Sequence, residues 1–197
     1  MSAKKKKTKT KKPVVVVLLL VLAALALVGG KMIYERLEGK ERYQLEYQDI
    51  IEKNAKEYRL DPYFVAAVIN TESGFNKDAV SDAGALGLMQ IMPETGQWIA
   101  GKFSMDSFQD KQLFDPEINI EFGCWYLHFL EEMFGGNRQL IAAGYNAGHN
   151  RVTTWLSDPT ISANGLNLDH IPIAETDQYV QKIEKAYQKY KELYEIQ

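Results

Sequence analysis

Residues 62–93 read PYFVAAVINTESGFNKDAVSDAGALGLMQIMP, an apolar run that ends at a glutamate and passes into a segment rich in glycine, serine and aspartate. The run begins like an α-helix, because Asp61 can serve as its N-cap and Pro62 can occupy the first helical position. Gly74 is suited to end that helix. The residues from 73 to 88 then predict a structured loop.

The sequence on both sides of this stretch is also helical in pattern. Apolar periodicity, proline or asparagine starts and glycine ends predict other helices at 47–58, from Pro93, from Asp115-Pro116 to about Phe134, after Asn137, and at 176–195. We find no internal repeat and no long run with the alternation of a β-strand. The sequence therefore predicts an all-α domain of about six to eight helices.

The charge of the chain is strongly asymmetric. Seven of the 23 lysines and arginines lie in the first twelve residues, which contain no acid, so the remainder has 16 basic against 26 acidic residues. Binding to nucleic acid requires a basic face that neutralises phosphates. The acidic remainder therefore excludes nucleic acid as the expected partner.

A run of seventeen uncharged residues follows the lysines, from Val14 to Gly30. As a helix it would span about 25 Å, slightly less than a hydrocarbon core of about 30 Å. Extension to Tyr34, with Lys31 snorkelling, closes the gap. Residues 13–34 therefore form either a transmembrane anchor or a secretory signal that is cleaved near Ala24-Leu25-Ala26.

Both readings give the same domain organisation. The basic tail, residues 1–12, stays in the cytoplasm, and the residues after the apolar run are exported. The charged residues 35–46 form a spacer, and residues 47–197 form the domain. The three histidines lack the spacing of metal ligands, so we expect neither a metal nor a cofactor.

Glu72 is the candidate acid of the domain. It follows Val65, Val68 and Ile69 at helical spacing, so its carboxyl continues an apolar stripe. It also lies in the last turn of the predicted helix, where the helix dipole is negative. Both surroundings should raise the pKa of Glu72, as an acid that protonates a leaving oxygen requires. The alternative, from the pattern alone, is a glutamate that turns outward at a frayed helix end.

Several blocks of the sequence together resemble one known family. Residues 72–75 (ESGF) and 79–93 (AVSDAGALGLMQIMP) resemble the catalytic signature of the family 1 soluble lytic transglycosylase (SLT) domain. Residues 143–148 (AGYNAG) and 175–180 (ETDQYV) resemble two further segments of that family, in the same order. The resemblance covers about residues 47–190 and implies a lysozyme-like helical fold.

The resemblance also implies an activity on bacterial peptidoglycan. This family cleaves the β-1,4 bond between N-acetylmuramic acid and N-acetylglucosamine without water. Glu72 would protonate the glycosidic oxygen and then act as base on the muramic C6 hydroxyl, which attacks C1 and leaves a 1,6-anhydro end. No second carboxylate is then required, unlike in most glycosidases. Asp78, Asp82 and Glu94 are accordingly interpreted as turn and helix-start residues.

The family pattern assigns substrate-binding roles to Ser73, Ser81, Gly87, Met89, Gln90, Tyr145, Asn146, Glu175 and Tyr179. Gly87 would let the backbone approach a sugar closely. Met89 and Gln90 would line the cleft, where the Gln90 amide can both donate and accept hydrogen bonds.

Two tyrosines in these blocks have specific expected contacts. The Tyr145 hydroxyl is expected to contact Glu72 or the sugar from across the cleft. Tyr179 is expected to pack on Glu175. Ser73, which follows the acid directly, either orients Glu72 or only caps the helix end.

Two other functions stay open on the sequence alone. A hydrolytic muramidase on the same fold would use water in place of the C6 hydroxyl and leave a reducing end. A non-catalytic glycan-binding scaffold would hold wall machinery at the membrane. We expect an exo- or endo-acting lytic transglycosylase of the bacterial cytoplasmic membrane, with one span and its domain on the cell-wall side, or a secreted form after cleavage.

Overall fold

The computed structural model describes residues 12–196. They form two compact units that divide after Glu41. Residues 1–11, which make up nearly all of the predicted basic tail, lie outside the described residues.

The N-terminal unit is a single helix, α1, Lys12–Arg42. Its large apolar side chains are exposed from Val16 to Leu37. Val16–Arg42 is long and apolar enough to cross a membrane, although an N-terminal signal sequence would have the same properties. The predicted spacer is helical as far as Arg42, because its glutamates, arginines and lysines are good helix formers.

The second unit consists of helices joined by loops. The helices are α2 Gln48–Glu57, α3 Pro62–Glu72, α4 Pro93–Lys102, a 3₁₀ turn Asp110–Phe114, α5 Pro116–Phe134, α6 Arg138–Ala147, α7 His149–Leu156 and α8 Ala174–Leu193. The described residues contain no β-strand, only two isolated bridges that join Leu86 to Val80 and to Ile91. The all-α prediction is confirmed.

The predicted helix starts are found where the sequence placed them. The Asp61 carboxylate accepts a hydrogen bond from the Tyr63 amide at 3.0 Å, and Pro62 opens α3. Asp115 caps α5 in the same way, and the Asn137 side chain caps α6. Gly135, with φ of 60°, ends α5. These local signals therefore fix the ends of the helices that carry the site.

Helices α3 and α8 form the centre of the domain. Every α3 side chain from Phe64 to Ile69 is buried. The Tyr187 hydroxyl of α8 donates to the Asp61 carboxylate at the start of α3, at 2.8 Å. Farther toward the start of α8, the Tyr179 hydroxyl donates to the carboxylate at the end of α3. The two helices therefore run antiparallel, side by side.

The compact unit begins earlier than the predicted boundary at residue 47. Tyr43 is 9% exposed, and its ring packs edge-on against Tyr190 at a centroid distance of 6.0 Å. The carbonyl oxygens of Tyr43 and Gln44 accept hydrogen bonds from the hydroxyls of Tyr194 and Tyr190. The last turns of α8 therefore hold the segment that precedes α2.

Candidate active site

Glu72 is the last residue of α3, and its side chain is largely covered by protein. Burial raises the pKa of its carboxyl from 4.5 to about 7, and a hydrogen bond from Tyr179 offsets this rise only in part. The rise predicted from the apolar stripe is confirmed. A large share of Glu72 is therefore protonated at neutral pH.

Tyr179 supplies the hydrogen bond to this carboxyl. Its hydroxyl lies 2.6 Å from Oε1 of Glu72, and the residue is 8% exposed. Burial and the negative charge of Glu72 raise the pKa of the Tyr179 phenol well above 10, so the phenol stays protonated and donates. The expected packing of Tyr179 on Glu175 is corrected, because the phenol points into the interior and Glu175 is exposed.

The loop after α3 is tied to three helices by hydrogen bonds to its backbone. The Ser73 hydroxyl donates to the Leu88 carbonyl oxygen at 2.7 Å. The Tyr145 hydroxyl of α6 donates to the Met89 carbonyl oxygen at 2.8 Å. The loop is therefore held against the end of α3. The Ser73 hydroxyl also lies 3.3 Å from the Ile69 carbonyl oxygen in the last turn of α3, as the expected cap of the helix end would, and it forms no hydrogen bond with Glu72.

Asn119 of α5, which was not among the predicted site residues, is the third anchor of this loop. Its side chain is fully buried. Oδ1 accepts from the Met89 amide at 2.7 Å, and Nδ2 donates to the carbonyl oxygens of Leu86 and Leu113 at 3.0 and 2.7 Å. An asparagine flanked by isoleucines inside an apolar helix was the available signal, because such a group must find partners.

Tyr145 lies near Glu72, but its hydroxyl is directed to the Met89 carbonyl oxygen. Of the two expected contacts of the Tyr145 hydroxyl, the one with Glu72 is not formed, and the one with the sugar stays a prediction. The charge of Glu72 nevertheless contributes to raising the pKa of the Tyr145 phenol, after burial, well above 10. Both phenols beside the acid are thus donors at neutral pH.

Asn146 follows Tyr145 and is exposed. Its Oδ1 accepts a hydrogen bond from the Thr176 hydroxyl at 2.8 Å. Thr176 is 2% exposed and lies in the first turn of α8, inside the block that contains Tyr179. Thr176, which was not among the predicted site residues, joins α6 to α8 beside Glu72.

Two predicted substrate-binding residues belong to the interior instead. Gly87 has φ of 76°, and a Cβ there would collide with the Leu113 carbonyl oxygen and the Asn119 amide. Met89 is fully buried, with its sulphur directly against Gly123 of α5. Both residues are buried, and their roles in substrate binding stay predictions. The close approach that requires glycine at 87 is to the protein itself.

The Gln90 side chain contacts the loop backbone and also lines the cleft. Its Nε2 donates to the carbonyl oxygens of Ala79 and Gly87 at 3.2 and 2.9 Å, so the amide nitrogen is used within the loop. The residue also lines a pocket of about 220 Å³. Its Oε1 is therefore the atom suited to meet a ligand.

That pocket lies between the loop and helices α4, α5 and α6. Its lining combines polar groups with apolar and aromatic side chains, including Gln90, Thr95, Ile99, Tyr126, Tyr145 and Asn146. Three predicted substrate-binding residues, Gln90, Tyr145 and Asn146, thus share one cavity. Glu72 does not line it but adjoins it through Tyr145.

The other predicted residues lie at the margins. Ser81 forms a turn in which its hydroxyl oxygen accepts from the Ala85 amide at 2.9 Å, which leaves the hydroxyl hydrogen for donation. Glu175 is exposed in the first turn of α8. Asp78 pairs with Lys77 at 2.9 Å. No carboxylate of the described residues 12–196, apart from Glu72 itself, forms a hydrogen bond with Glu72 or Tyr179.

Comparison with known sequences places this geometry in a family. The sequence model of the transglycosylase SLT domain matches residues 49–164, more than half of the chain. The chain belongs to the transglycosylase SLT domain family. The predicted family and its lysozyme-like fold are confirmed.

Curated relatives of this SLT protein include soluble and membrane-bound proteins. The soluble lytic murein transglycosylase of Escherichia coli strain K12 is 36% identical over 167 residues, which cover 84% of this chain and 25% of the relative. Membrane-bound lytic murein transglycosylase C of Actinobacillus pleuropneumoniae serotype 5b is 29% identical over 181 residues, covering 81% of this chain and 49% of the relative. The chain thus spans about a quarter to a half of these relatives.

Solved structures agree with the sequence comparison. An inactive glutamate-to-glutamine mutant of the lytic transglycosylase Slt from Pseudomonas aeruginosa matches with a TM-score of 0.69 at 34% identity, over 78% of this chain and 25% of that chain. The 70-kDa soluble lytic transglycosylase in complex with bulgecin A matches with a TM-score of 0.69 at 32% identity, over 87% and 28%.

Proposed function

We propose that this protein is a peptidoglycan lytic transglycosylase in which Glu72 is the only acid/base. The observation that carries the proposal is a single carboxyl with a pKa of about 7, held by Tyr179 at the end of α3. The family and the names of its curated relatives support the activity. The inactive glutamate-to-glutamine mutant of the Pseudomonas aeruginosa relative supports a glutamate as its centre.

In the first step, the protonated Glu72 donates its proton to the glycosidic oxygen between N-acetylmuramic acid and N-acetylglucosamine. The C1–O bond breaks, and positive charge develops at C1 of the muramic residue, where the substrate's N-acetyl group stabilises it. A carboxyl with a pKa near the working pH is well matched to this proton transfer. Glu72 is then a carboxylate, and the Tyr179 hydroxyl stabilises its new charge.

In the second step, the Glu72 carboxylate accepts the proton of the muramic C6 hydroxyl as O6 attacks C1. The product is a 1,6-anhydro end, and Glu72 regains its proton. The balance requires neither water nor a second carboxylate. The exposed positions of Asp82 and Glu94 and the pairing of Asp78 with Lys77 support this single-acid scheme.

The pocket beside the acid is the proposed glycan subsite. Gln90 Oε1 can accept from a sugar hydroxyl or amide, and Asn146 can offer its amide while Thr176 holds it. Ser81 and Glu175 are proposed to contact the strand at the rim. Tyr145 acts by holding Met89, and with it the wall of the cleft.

The apolar helix α1 supports a membrane location. We propose that residues 13–34 anchor the protein in the bacterial cytoplasmic membrane by one span, with the lysines inside and the domain on the cell-wall side. The exposure of its apolar side chains supports a lipid environment for α1. A secreted form would result if the segment were cleaved as a signal.

Product analysis tests the proposal. The full chain is incubated with purified peptidoglycan, and the released muropeptides are identified by mass spectrometry. Anhydro products, one water lighter than hydrolysed ones, are expected. Reducing ends would make the protein a muramidase, and strand binding without any release would make it a glycan-binding scaffold.

A further inference from the structure

A cluster of aromatic side chains lies beside the pocket that the glycan is proposed to occupy. Trp98 of α4 contacts three rings of α5, those of Trp125, Tyr126 and Phe129, at centroid distances of 5.1, 6.2 and 5.4 Å. The His149 ring at the start of α7 contacts the Phe129 ring at a centroid distance of 5.2 Å. These five rings, from three helices, form one continuous surface that we call the aromatic platform.

Tyr126 places the aromatic platform at the edge of the cleft. Its ring centroid lies 5.5 Å from that of Tyr145, whose phenol is near Glu72, and it lines the pocket of about 220 Å³. Tyr126 also lines a wider hollow of about 560 Å³ that the first turns of α7 form. The cleft is therefore open at Tyr126, and a strand longer than the pocket can pass over this edge.

Trp98 lies at the same edge and is exposed. Thr95, three residues earlier on the same face of α4, lines the pocket of about 220 Å³. Trp98 is 38% exposed, whereas the other four rings of the platform are only partly exposed. The ammonium of Lys102, itself an exposed residue, lies over the indole at 5.8 Å from the ring centroid. One face of the indole is therefore turned toward solvent beside the cleft.

A sugar of a β-1,4-linked strand matches this surface. A pyranose has C–H groups on its faces and hydroxyls at its edge, so that one face can pack on an indole while the hydroxyls bind polar side chains. Lys102 and the indole N–H of Trp98 are donors for such hydroxyls. An exposed group of rings at the rim of a groove is typical of a ligand-binding surface. The polar groups within and beside the platform, His149 and Lys102, favour a sugar over a wholly apolar partner.

We propose that Trp98 stacks on a sugar residue of the same strand, beyond the residues held in the pocket, an inference that rests on the proposed function. This contact adds binding energy only for strands that are long enough to reach it. The protein therefore prefers long glycan strands to short ones, and Trp98 is a determinant of that preference.

Calorimetric titration tests the proposal with the trimer and the hexamer of β-1,4-linked N-acetylglucosamine. The full chain is used in detergent micelles, with Glu72→Gln in every sample to prevent cleavage. Trp98→Leu keeps an apolar side chain against α5 but removes the flat ring, and Trp98→Phe keeps a ring. The control, Leu166→Ala, shortens a side chain that is 71% exposed in the loop before α8.

The hexamer should bind about three- to tenfold more tightly than the trimer in the chain that keeps Trp98 and in the control, as one aromatic contact implies. Trp98→Leu should lose this difference, and Trp98→Phe should keep most of it. An unchanged difference in Trp98→Leu, or equal weakening of both oligosaccharides, would overturn the proposal.

Tryptophan fluorescence gives a second readout. The hexamer should shift the emission of the chain that keeps Trp98, because a sugar on the exposed indole displaces water. Trp98→Phe, which preserves the packing of a ring on α5, should abolish that shift. A shift of equal size in Trp98→Phe would assign it to Trp125 or Trp155 and contradict the proposal.

Two further measurements separate this inference from its alternatives. Binding that depends on length through Trp98, without any cleavage of peptidoglycan by the chain that keeps Glu72, would contradict the proposed function alone. Cleavage together with an unchanged hexamer advantage in Trp98→Leu would contradict this inference alone. If Trp98→Leu dissociates a dimer in sedimentation experiments and leaves sugar binding intact, the platform joins two copies of the chain and the proposal is wrong.

Discussion

The Tyr179 hydroxyl lies 2.6 Å from Oε1 of Glu72 and joins residues that are 107 positions apart in the chain. The contact connects the end of α3 to the first half of α8. Burial favours the neutral carboxyl, whereas this hydrogen bond favours the charged one. The balance between them sets the pKa of the acid.

Replacing Tyr179 with phenylalanine tests this balance. Tyr179→Phe removes the group that stabilises the Glu72 carboxylate, so the pKa of Glu72 rises further. The alkaline limb of the rate profile therefore moves to higher pH. Because the negative charge forms in the transition state, kcat/KM should fall about 10- to 100-fold, as loss of a hydrogen bond to a charged group implies. The measurement is kcat/KM on peptidoglycan between pH 5 and pH 9 (about two units on either side of the pKa).

Tyr187→Phe is the matched control. It removes a hydroxyl from the same helix, one that donates to Asp61 at 2.8 Å. Thermal stability should fall, but the pH midpoint of activity should stay where it is. An equal displacement of the midpoint in both variants would assign the effect to packing of α8 rather than to the contact with Glu72.

The wild-type protein should lose activity on the alkaline side with a midpoint near pH 7. The reaction begins with a proton on Glu72, and the pKa of about 7 means that the protonated fraction falls tenfold for each pH unit above it. Initial rates at low substrate concentration report this limb for the free enzyme. A rate that keeps rising through pH 8 would contradict a protonated Glu72 as the acid.

Replacing the acid should stabilise the fold at alkaline pH. Because the pKa of Glu72 is raised in the folded state, the folded protein binds the extra proton between about pH 4.5 and 7, and stability falls as pH rises through that window. Glu72→Gln should raise the free energy of unfolding by an amount on the order of 3 kcal/mol at pH 8 and change it little at pH 4.

Urea unfolding at both pH values measures this difference. Glu94→Gln, which alters an exposed acid in the first turn of α4, is the control and should show no such dependence on pH. Equal effects of Glu72→Gln at pH 4 and pH 8 would show that the carboxyl is not desolvated.

Alanine substitutions at two loop glycines distinguish a steric collision of the added Cβ from backbone strain. Gly87 and Gly84 have φ values of 76° and 89°, but only a Cβ at 87 would collide with neighbours, while Gly84 has open space. Gly84→Ala should lower the free energy of unfolding by about 1–2 kcal/mol, which is the strain of a residue in the left-handed conformation. Gly87→Ala should lower the free energy of unfolding by about 3 kcal/mol or more.

Chemical denaturation of the two alanine variants makes this comparison. Comparable losses of unfolding free energy in the two variants would mean that the loop relaxes around Leu113 and Asn119. The packing around Gly87 would then be weaker than the structure indicates.

Local signals were enough to predict the helices and the burial of Glu72. Asp61 and Asn137 cap helices through bonds to residues two or three positions away, and the apolar stripe that carries Glu72 is visible within one helix. Such features depend on spacing along the chain, which a sequence displays directly.

Contacts between distant segments were not predictable in the same way. Tyr179 was expected to pack on Glu175, but the packing of α8 on α3 turns the phenol toward Glu72. Met89 lies in a loop without periodicity, so nothing in the pattern showed that its side chain fills the core beside Gly123. Fold topology, rather than propensity, determines these contacts.

The most direct test of the central claim uses water labelled with heavy oxygen. Wild type and Glu72→Gln are incubated with peptidoglycan in this water, and the ends of the released muropeptides are examined by mass spectrometry. We expect anhydro ends without label from wild type and no release from Glu72→Gln. One labelled oxygen at each new muramic end, or undiminished release by Glu72→Gln, would contradict it.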